Sequence, residues 1–411
     1  MEADKKTIAI VGGGLAGLAT AVGLVRSGHR VRVFEQASSL GEVGAGINIS
    51  MQATRALQGL GLEPELGAAA NIVTGQPIHS IETGDRIAYT SFTGSDAEER
   101  PPYYTFHRAD LLKVLADAVG SEDVALGHRL TGITDRGDSV DLEFDNGEKF
   151  TADAVIGADG VHSTVRHALY GVDEAKFTGQ VVWRALLDAS QFPADVIGND
   201  GFAGWVGAHR HIMVYFIRDS SIINVSAQID TPEWAAEGWS IPGDPDEMRA
   251  TFGTVAPQLQ QILDKITSCH RWGLFVRQPS TDWGTGRIQL IGDAAHPMLP
   301  NAGQGAGQSF EDAYVLSRWL EEEPDPVQAF ARFRDVRIPR ASAIQRVSAQ
   351  TTGVLHGKKG AGLEAQREEI ARRESEGKSA LGLSWIYDYD PVTEWSTKFV
   401  YPLSLEYTPT T

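Results

Sequence analysis

Three glycine-rich stretches and one histidine–tyrosine segment hold the residue types that could do chemistry. The first stretch is Gly12-x-Gly14-x-x-Gly17, with Leu15 and Ala16 between its last two glycines. Glycines at that spacing let backbone N–H groups approach a pyrophosphate, which then rests on the positive end of a helix dipole. Glu35, followed by Gln36, stands 18 residues beyond Gly17. A carboxylate there accepts hydrogen bonds from ribose hydroxyls and repels a 2′-phosphate. By itself the motif serves NAD and FAD equally. The second stretch, Gly157-Ala-Asp159-Gly160-Val-His-Ser163-Thr-Val-Arg166, sets a carboxylate and a cation seven residues apart. They read either as an ion pair holding a turn open beside a ligand or as a plain helix cap. The third runs from Gly292-Asp293 through Pro297, Pro300 and Asn301 to Gly303, Gly305 and Ala306. Asp293 could accept from a polyol hydroxyl or simply cap a turn, and the side-chain-poor helix start behind it suits an anion.

The remaining candidate is His209-Arg-His211-Ile-Met-Val-Tyr215. On a strand, residues 209, 211, 213 and 215 share one face. An imidazole and a phenol there could bind and deprotonate a substrate hydroxyl. Four residues of strand separate His211 from Tyr215 by roughly 13 Å, so both must lean inward to reach one ring. The alternatives are a hydrogen-bonded structural histidine with a core tyrosine, or a His209–His211 metal pair. The metal pair has no third ligand at a matching spacing, and no metal is expected. Arg184, in Val182-Trp-Arg-Ala, reads as a contact for a substrate carboxylate or as a surface strand arginine.

These residues need elements to hold them. Thr7–Val11 is continuously apolar and β-branched, a strand buried on both faces, and 15–26 has helical apolar spacing that Gly28 stops. The next strand, 31–35, completes a βαβ unit. A helix follows over 110–119, and strands at 140–144 and 148–151 meet at Asp145-Asn-Gly147, whose residues allow the positive φ of a tight hairpin. Residues 154–157 return to a buried strand. From about 176 to 283 the pattern changes to alternating strands (180–186, 211–217, 222–229) around one helical stretch, 244–266, capped by Asp244 and broken at Pro257. Trp183, Trp205, Trp234, Trp239, Trp272 and Trp283 fall here, as in a separate, mostly antiparallel domain. Residues 287–292 rejoin the first domain. Helices are expected over 306–322 and 326–350, a charged helix over 362–376, and an aromatic, extended tail over 385–401.

Composition limits the function. The 411 residues carry 36 Lys+Arg against 54 Asp+Glu, a net charge of −18, which argues against nucleic acid or an anionic membrane as partner. A single cysteine, Cys269, excludes an internal disulfide and fits a reducing compartment. No apolar run approaches the roughly 20 residues that span a bilayer, and no signal sequence is evident, so a cytoplasmic protein is expected.

The three glycine stretches, in this order and spacing, together with His107-Arg108-x-x-Leu111, resemble the single-component (class A) flavoprotein aromatic hydroxylases, similar to salicylate and hydroxybenzoate hydroxylases, over about residues 7–350. The resemblance implies an α/β fold: a Rossmann-type FAD-binding domain (1–78, 101–175 and 286–350) interrupted by a mostly antiparallel β-sheet substrate domain (79–100 and 176–285), with a C-terminal helical or extended region (351–411). It places Arg108 by the FAD pyrophosphate and Asp159 and Gly160 where FAD and the nicotinamide nucleotide both pass. It places Asp293 on the ribityl chain, Gly46 and Ile47 within Gly44–Asn48 beside the flavin ring, and Pro300, Gly303, Gly305 and Ala306 over that ring.

The activity implied is reduction of FAD by NADH or NADPH, then O₂ addition to a flavin C4a-hydroperoxide. Its distal oxygen passes to the ring of a small phenolic acid of salicylate, hydroxybenzoate or hydroxynicotinate type. The pocket must then be dry and the phenol ionised or strongly hydrogen-bonded. His211 and Tyr215 match the His-x-x-x-Tyr strand of the salicylate and hydroxynicotinate branch, which implies that His211 binds or deprotonates the hydroxyl and Tyr215 donates to or orients it. The family has proline after that tyrosine; here it is Phe216. Pro300 is a candidate near the reactive oxygen. The resemblance and the aromatic tail suggest a homodimer. The alternatives are an FAD-dependent epoxidase or a flavin-binding protein without hydroxylase activity.

Overall fold

The computed structural model describes residues 5–41, 45–93, 100–171, 175–232, 241–356, 372 and 382–400. Gly44, Trp234, Trp239 and all of the expected charged helix 362–376 except Arg372 lie outside the described residues. The βαβ opening consists of β1 (Thr7–Val11), α1 (Leu15–Arg26) and β2 (Arg30–Glu35). Next come β3 (Gly46–Ile49), α2 (Met51–Gly59), α3 (Glu63–Ala69), β4 (Asn71–Val73), β5 (Gly75–Ser80), β6 (Arg86–Ser91), β7 (Tyr103–His107) and α4 (Arg108–Val119). Strands β8 (Val124–Leu126), β9 (Leu130–Asp135), β10 (Val140–Phe144), β11 (Lys149–Ala152) and β12 (Ala154–Gly157) lead to α5 (Thr164–Tyr170). Gly147 closes the β10–β11 hairpin at φ 86°, as its sequence requires.

Strands β13 (Lys176–Asp188), β14 (Phe202–Gly207), β15 (Arg210–Ile217), β16 (Ile222–Asp230) and β17 (Ile241–Gly243) precede α6 (Pro245–Phe252) and α7 (Pro257–Asp264). Asp244 caps α6 by accepting from Asp246 N, and Pro257 opens α7. Strands β18 (Cys269–Val276), β19 (Gly284–Thr285) and β20 (Ile288–Leu290) return the chain to helices α8 (Gly305–Glu322) and α9 (Pro326–Leu355). The last helix extends five residues beyond its expected end and runs through Pro339.

The six-stranded sheet has the order β19-β20-β12-β1-β2-β8, parallel except for the β19 edge. The eight-stranded sheet, β17-β18-β13-β16-β15-β14-β5-β6, is antiparallel except where β14 meets β5. Strand β5 begins at Gly75, so the boundary expected after residue 78 falls inside a strand of this larger sheet. Five of its strands, β5, β6, β14, β17 and β18, are not among the strands expected from the sequence. The tail is also corrected: it is not extended, because Ser384–Tyr387 forms a one-turn helix and turns follow. Arg55 Nη1 holds it by donating to the carbonyls of Tyr387 (2.7 Å) and Tyr389 (3.0 Å). Among the described residues no helix is long and apolar enough to cross a membrane, and no group of three or more His, Cys, Asp or Glu could hold a metal.

Alternation sorts the large sheet into two faces. Trp183, Ala185, Leu187, Ala203, Trp205, Ile212, Val214, Val225 and Ala227 pack against Met248, Phe252, Leu259 and Ile262 of α6 and α7. The opposite face carries Arg184, Phe202, His211, Met213, Tyr215, Asn224 and Gln228, which are neighbours in register. Helices α6 and α7 thus cover one face, and the other, where Phe202, Met213 and Tyr215 pack with Met51, Ile344 and Val347, carries the polar candidates.

A buried charge cluster joins α8 and α9. Arg337 Nε donates to Asp312 Oδ1 (2.8 Å), Arg337 Nη1 pairs with Glu311, and Arg340 forks onto both Glu311 oxygens (2.7 and 3.0 Å). The other Asp312 oxygen accepts from Gly292 N (2.9 Å) and meets His296 Nε2 at 2.6 Å. Burial alone would raise both carboxyls, but the arginines, with His296 at Asp312, outweigh it and hold them below the ordinary range. Removing one partner of such a cluster leaves a buried charge uncompensated. Arg337→Ala is expected to cost about 3–5 kcal/mol, read as a lower urea midpoint, whereas an unchanged midpoint would show the cluster to be dispensable.

Candidate active site

The three glycine stretches leave their strands at one edge of the parallel sheet. Val11 lies in register with Gly157 on one side and Phe34 on the other, and Gly157 with Leu290. In the first turn the glycines divide their roles. A Cβ on Gly12, at φ 110°, would meet Ala158 O at 2.4 Å, and one on Gly17 would meet Gly12 O at 2.0 Å. Both are needed for backbone packing. A Cβ on Gly14 meets nothing within 4 Å, so this residue faces open space at the uncapped start of α1. Leu15 is buried, Ala16 is half-buried, and Gln36 is exposed in the bend after β2. Glu35 is turned to this loop: its two oxygens accept from Gly13 N and Ala37 N, each at 2.8 Å, leaving lone pairs for a ribose.

The second turn resolves the choice between ion pair and cap. Asp159 accepts from Ser163 Oγ (2.5 Å) and Val165 N (3.1 Å), Ser163 caps α5, and Arg166 donates instead to Asp282 O (3.1 Å). Of the two readings, the helix cap is the one present, and it holds the turn directly. Burial raises the Asp159 carboxyl against those hydrogen bonds. Gly160, at φ 77°, has no atom within 4 Å of its would-be Cβ.

The third turn abuts the first, since a Cβ on Gly292 (φ 55°) would lie 2.9 Å from Ala16 Cβ. Asp293 is exposed, yet protein packs around it. That desolvation raises its carboxyl, opposed by His296 and by Arg108 at the start of α4. Pro300 is exposed and opens a short turn that ends at Gly303 in the left-handed region, where a side chain would strike Asn48 Nδ2 at 2.4 Å. Gly305 and Ala306 then start α8, with no side chain capping its first N–H groups.

Strand β3 connects these turns to the large sheet. Asn224 Oδ1 accepts from Gly46 N (2.8 Å), and a Cβ on Gly46 would strike Tyr215 and Asn224, each at 2.6 Å; Ile47 follows, half-buried. Arg184 is not the surface residue that one reading allowed. Its Nη1 donates to Gly46 O (3.2 Å), its guanidinium lies 5.6 Å from the Trp272 ring, and its buried Nε has no partner. Burial lowers its affinity for its proton. Tyr215 is 4% exposed and stacks on Phe202 at 5.1 Å. Burial pushes its phenol up to about 12, so it is a neutral donor.

His211 and Tyr215 share the inner face, as the period of two requires. His209 does not: at φ 61° it lies in the turn before β15 and is exposed. His211 is 3% exposed, and burial keeps its imidazole neutral to well below the usual range, with His356 acting in the same direction. Its Nδ1 lies 2.7 Å from Nε2 of His356, whose Nδ1 lies 2.7 Å from Asp230 Oδ1. The other Asp230 oxygen lies 3.0 Å from His209 Nδ1. Sequence reasoning missed His356, Asp230 and Asn224. Asn224 stands opposite Tyr215 in register, but no local spacing links His356 to position 211.

The cradle fits an extended dinucleotide. Gly14 and Gly160 face open space, Asp293 is exposed beside them on the third turn, and the buried Nε of Arg184, on the inner sheet face, has no partner. The comparisons with known proteins agree. A family model described as FAD binding domain matches residues 5–325. A 3-amino-4-hydroxybenzoate 2-monooxygenase of Streptomyces platensis is 36% identical over 86% of this chain and 89% of its own. A 3-hydroxybenzoate 6-hydroxylase of Klebsiella oxytoca is 34% identical over 92% and 96%. A solved salicylate hydroxylase substrate complex superposes with a TM-score of 0.80 at 25% identity, covering 97% of this chain and 99% of that one. The chain belongs to the FAD-binding domain family, among the class A flavoprotein aromatic hydroxylases.

Proposed function

We propose that this protein hydroxylates a small phenolic aromatic acid, using NADH or NADPH and O₂ as co-substrates. The observation that carries this reading is a neutral, buried imidazole, His211, on the same sheet face as Arg184 and Tyr215, with Arg184 and Tyr215 both touching Gly46 beside the glycine turns. Gly12, Gly14, Leu15, Ala16, Gly17 and Glu35 would hold the adenosine diphosphate half of FAD, with Gln36 flanking the ribose and Arg108, Asp159 and Gly160 along the chain. Asp293 would accept from the ribityl hydroxyls. Gly46, Ile47, Pro300, Gly303, Gly305 and Ala306 would enclose the ring, where the α8 N-terminus favours negative charge. Bound FAD supplies the electrons from the nicotinamide and delivers one oxygen atom to the substrate ring.

The protein's own groups prepare that ring. An electrophilic oxygen attacks phenolate far faster than phenol, so a base at the hydroxyl is required. His211 takes that role as a buried, neutral imidazole that can accept the hydroxyl proton and pass one on through its other nitrogen. Tyr215, a neutral phenol, donates to or orients the same oxygen. Arg184 is the cation of this face and pairs with the ring carboxylate. Val182, Trp272, Leu274 and Leu299 form an apolar cluster beside it that excludes water. The relatives' substrates, hydroxybenzoate, aminohydroxybenzoate and hydroxynicotinate, all combine a ring hydroxyl with a carboxylate. An epoxidase would have no use for the imidazole.

Screening hydroxybenzoates, 3-amino-4-hydroxybenzoate, hydroxynicotinates and salicylate for stimulated NADH oxidation tests the reading; a yellow protein indifferent to all of them would refute it. His211→Ala is expected to retain FAD while product formation falls about 100-fold and NADH oxidation is diverted to peroxide. Wild-type coupling in that variant would remove His211 from the reaction. Asp293→Ala should purify with less flavin; full flavin content would contradict the ribityl role. Among the glycines, Gly17→Ala should lower the melting temperature of the apoprotein, at a cost of about 1–3 kcal/mol. Gly14→Ala should leave apoprotein melting unchanged and weaken FAD retention, and the reverse pattern would overturn their assignment.

A further inference from the structure

The structure assigns a proton path to His211: we propose that His356 and Asp230 carry the substrate's hydroxyl proton from the buried sheet face to water, with His209 at the outer end. This rests on the reading of His211 as the base. The four groups form one unbroken chain of short contacts, His211 Nδ1 to His356 Nε2 (2.7 Å), His356 Nδ1 to Asp230 Oδ1 (2.7 Å), and Asp230 Oδ2 to His209 Nδ1 (3.0 Å). Exposure rises along it. The His356 side chain is 2% exposed, Asp230 35% and His209 51%. Backbone bonds fix the geometry, since His209 N donates to His356 O (2.8 Å) and Asp230 N to His209 O (2.9 Å). Gln180 Nε2 also donates to Asp230 Oδ1 (3.1 Å) and is itself held by Gln228.

The chain sets the tautomers. Burial would raise the Asp230 carboxyl, but hydrogen bonds from His356 and His209 outweigh it, so Asp230 is ionised and can only accept. The His356 Nδ1 therefore carries a proton. In neutral His356 the Nε2 then accepts, which places the His211 proton on Nδ1 and leaves His211 Nε2 bare for the substrate. When the substrate O–H bond breaks, an N–H bond forms at His211 Nε2. The Nδ1 proton of His211 passes to His356 Nε2, and the imidazolium charge comes to rest against the Asp230 carboxylate. From there a proton leaves to water through the part-exposed Asp230, while His209 Nδ1–H holds its other oxygen. When the hydroxylated product departs as a phenol, the same steps run in reverse and restore the tautomers. No oxidant or reductant enters this sequence. Among the described residues, the charged and titratable groups acting on His211 and Asp230 are His356 at the end of α9, His209 in the turn before β15, and Asp230 on β16.

His356 and Asp230 act through His211 and are positioning residues. The test mixes flavin-loaded enzyme with 3-hydroxybenzoate, or with whichever phenolic acid the substrate screen favours, in weakly buffered solution containing a pH indicator. Proton release on binding is followed together with the bound ligand's phenolate absorbance. In His356→Gln, which can still accept from His211 but cannot relay, proton release should slow about tenfold. The apparent pKa of the bound phenol should rise by about one unit, and added imidazole should partly restore the rate. Asp230→Asn should act in the same direction. Unslowed release in both variants, with His211→Ala defective, overturns the relay and leaves the base intact. Unslowed release in His211→Ala overturns the base itself. If either relay variant loses its flavin, a solvent isotope effect on release in the wild type decides: a bowed dependence on D₂O fraction supports several protons in flight, and a linear one overturns the relay.

Discussion

The carboxylate of Asp312 is the constraint on which the flavin-facing architecture depends. Fully buried, it binds the backbone of Gly292 at the end of the parallel sheet, the imidazole of His296 in the loop beyond, and Arg337 on the last long helix. One group thereby fixes a strand end, a loop and a helix pair. Such a device is stable only when every partner is present, because an unpaired charge in that interior costs more than the pairing returns. The same loop presents Asp293 and Pro300, so their placement depends on the charge cluster behind it.

The two sheets contribute different things. The parallel sheet brings backbone and little else, since its three turns meet at a common edge and are rich in glycine. The antiparallel sheet brings side chains. Its strict alternation gives one face to α6 and α7 and the other to His211, Arg184 and Tyr215. Strand β3 joins them, with Gly46 pressed against Tyr215 and Asn224 and its carbonyl taken by Arg184. The two sheets are therefore mechanically one unit at Gly46.

Much of this was legible in sequence where the signal was local. The opening βαβ unit, the Asp145-Asn-Gly147 hairpin and the helical stretch broken at Pro257 follow from short-range propensity, and the structure has each. Strand β14 was missed because Phe202–Gly207 is buried throughout, with no alternation to read. Strand β18 was missed because Cys269–Val276 mixes polar and aromatic residues. Between an Asp159–Arg166 pair and a helix cap, spacing alone left the choice open; Ser163 and the α5 backbone take the carboxylate at shorter range. His356 could not be found at all: it reaches His211 across 145 residues, through packing of α9 against the sheet, which no spacing rule encodes.

The unequal crowding around the three glycines of the first turn bears on how such a fingerprint should be read in other chains. Selection for a foldable strand–helix corner alone would retain Gly12 and Gly17, even in a descendant that had abandoned nucleotides. The middle glycine has no such second duty. Its drift to a bulkier residue would be an early trace of lost cofactor dependence, visible while the rest of the signature still looked intact.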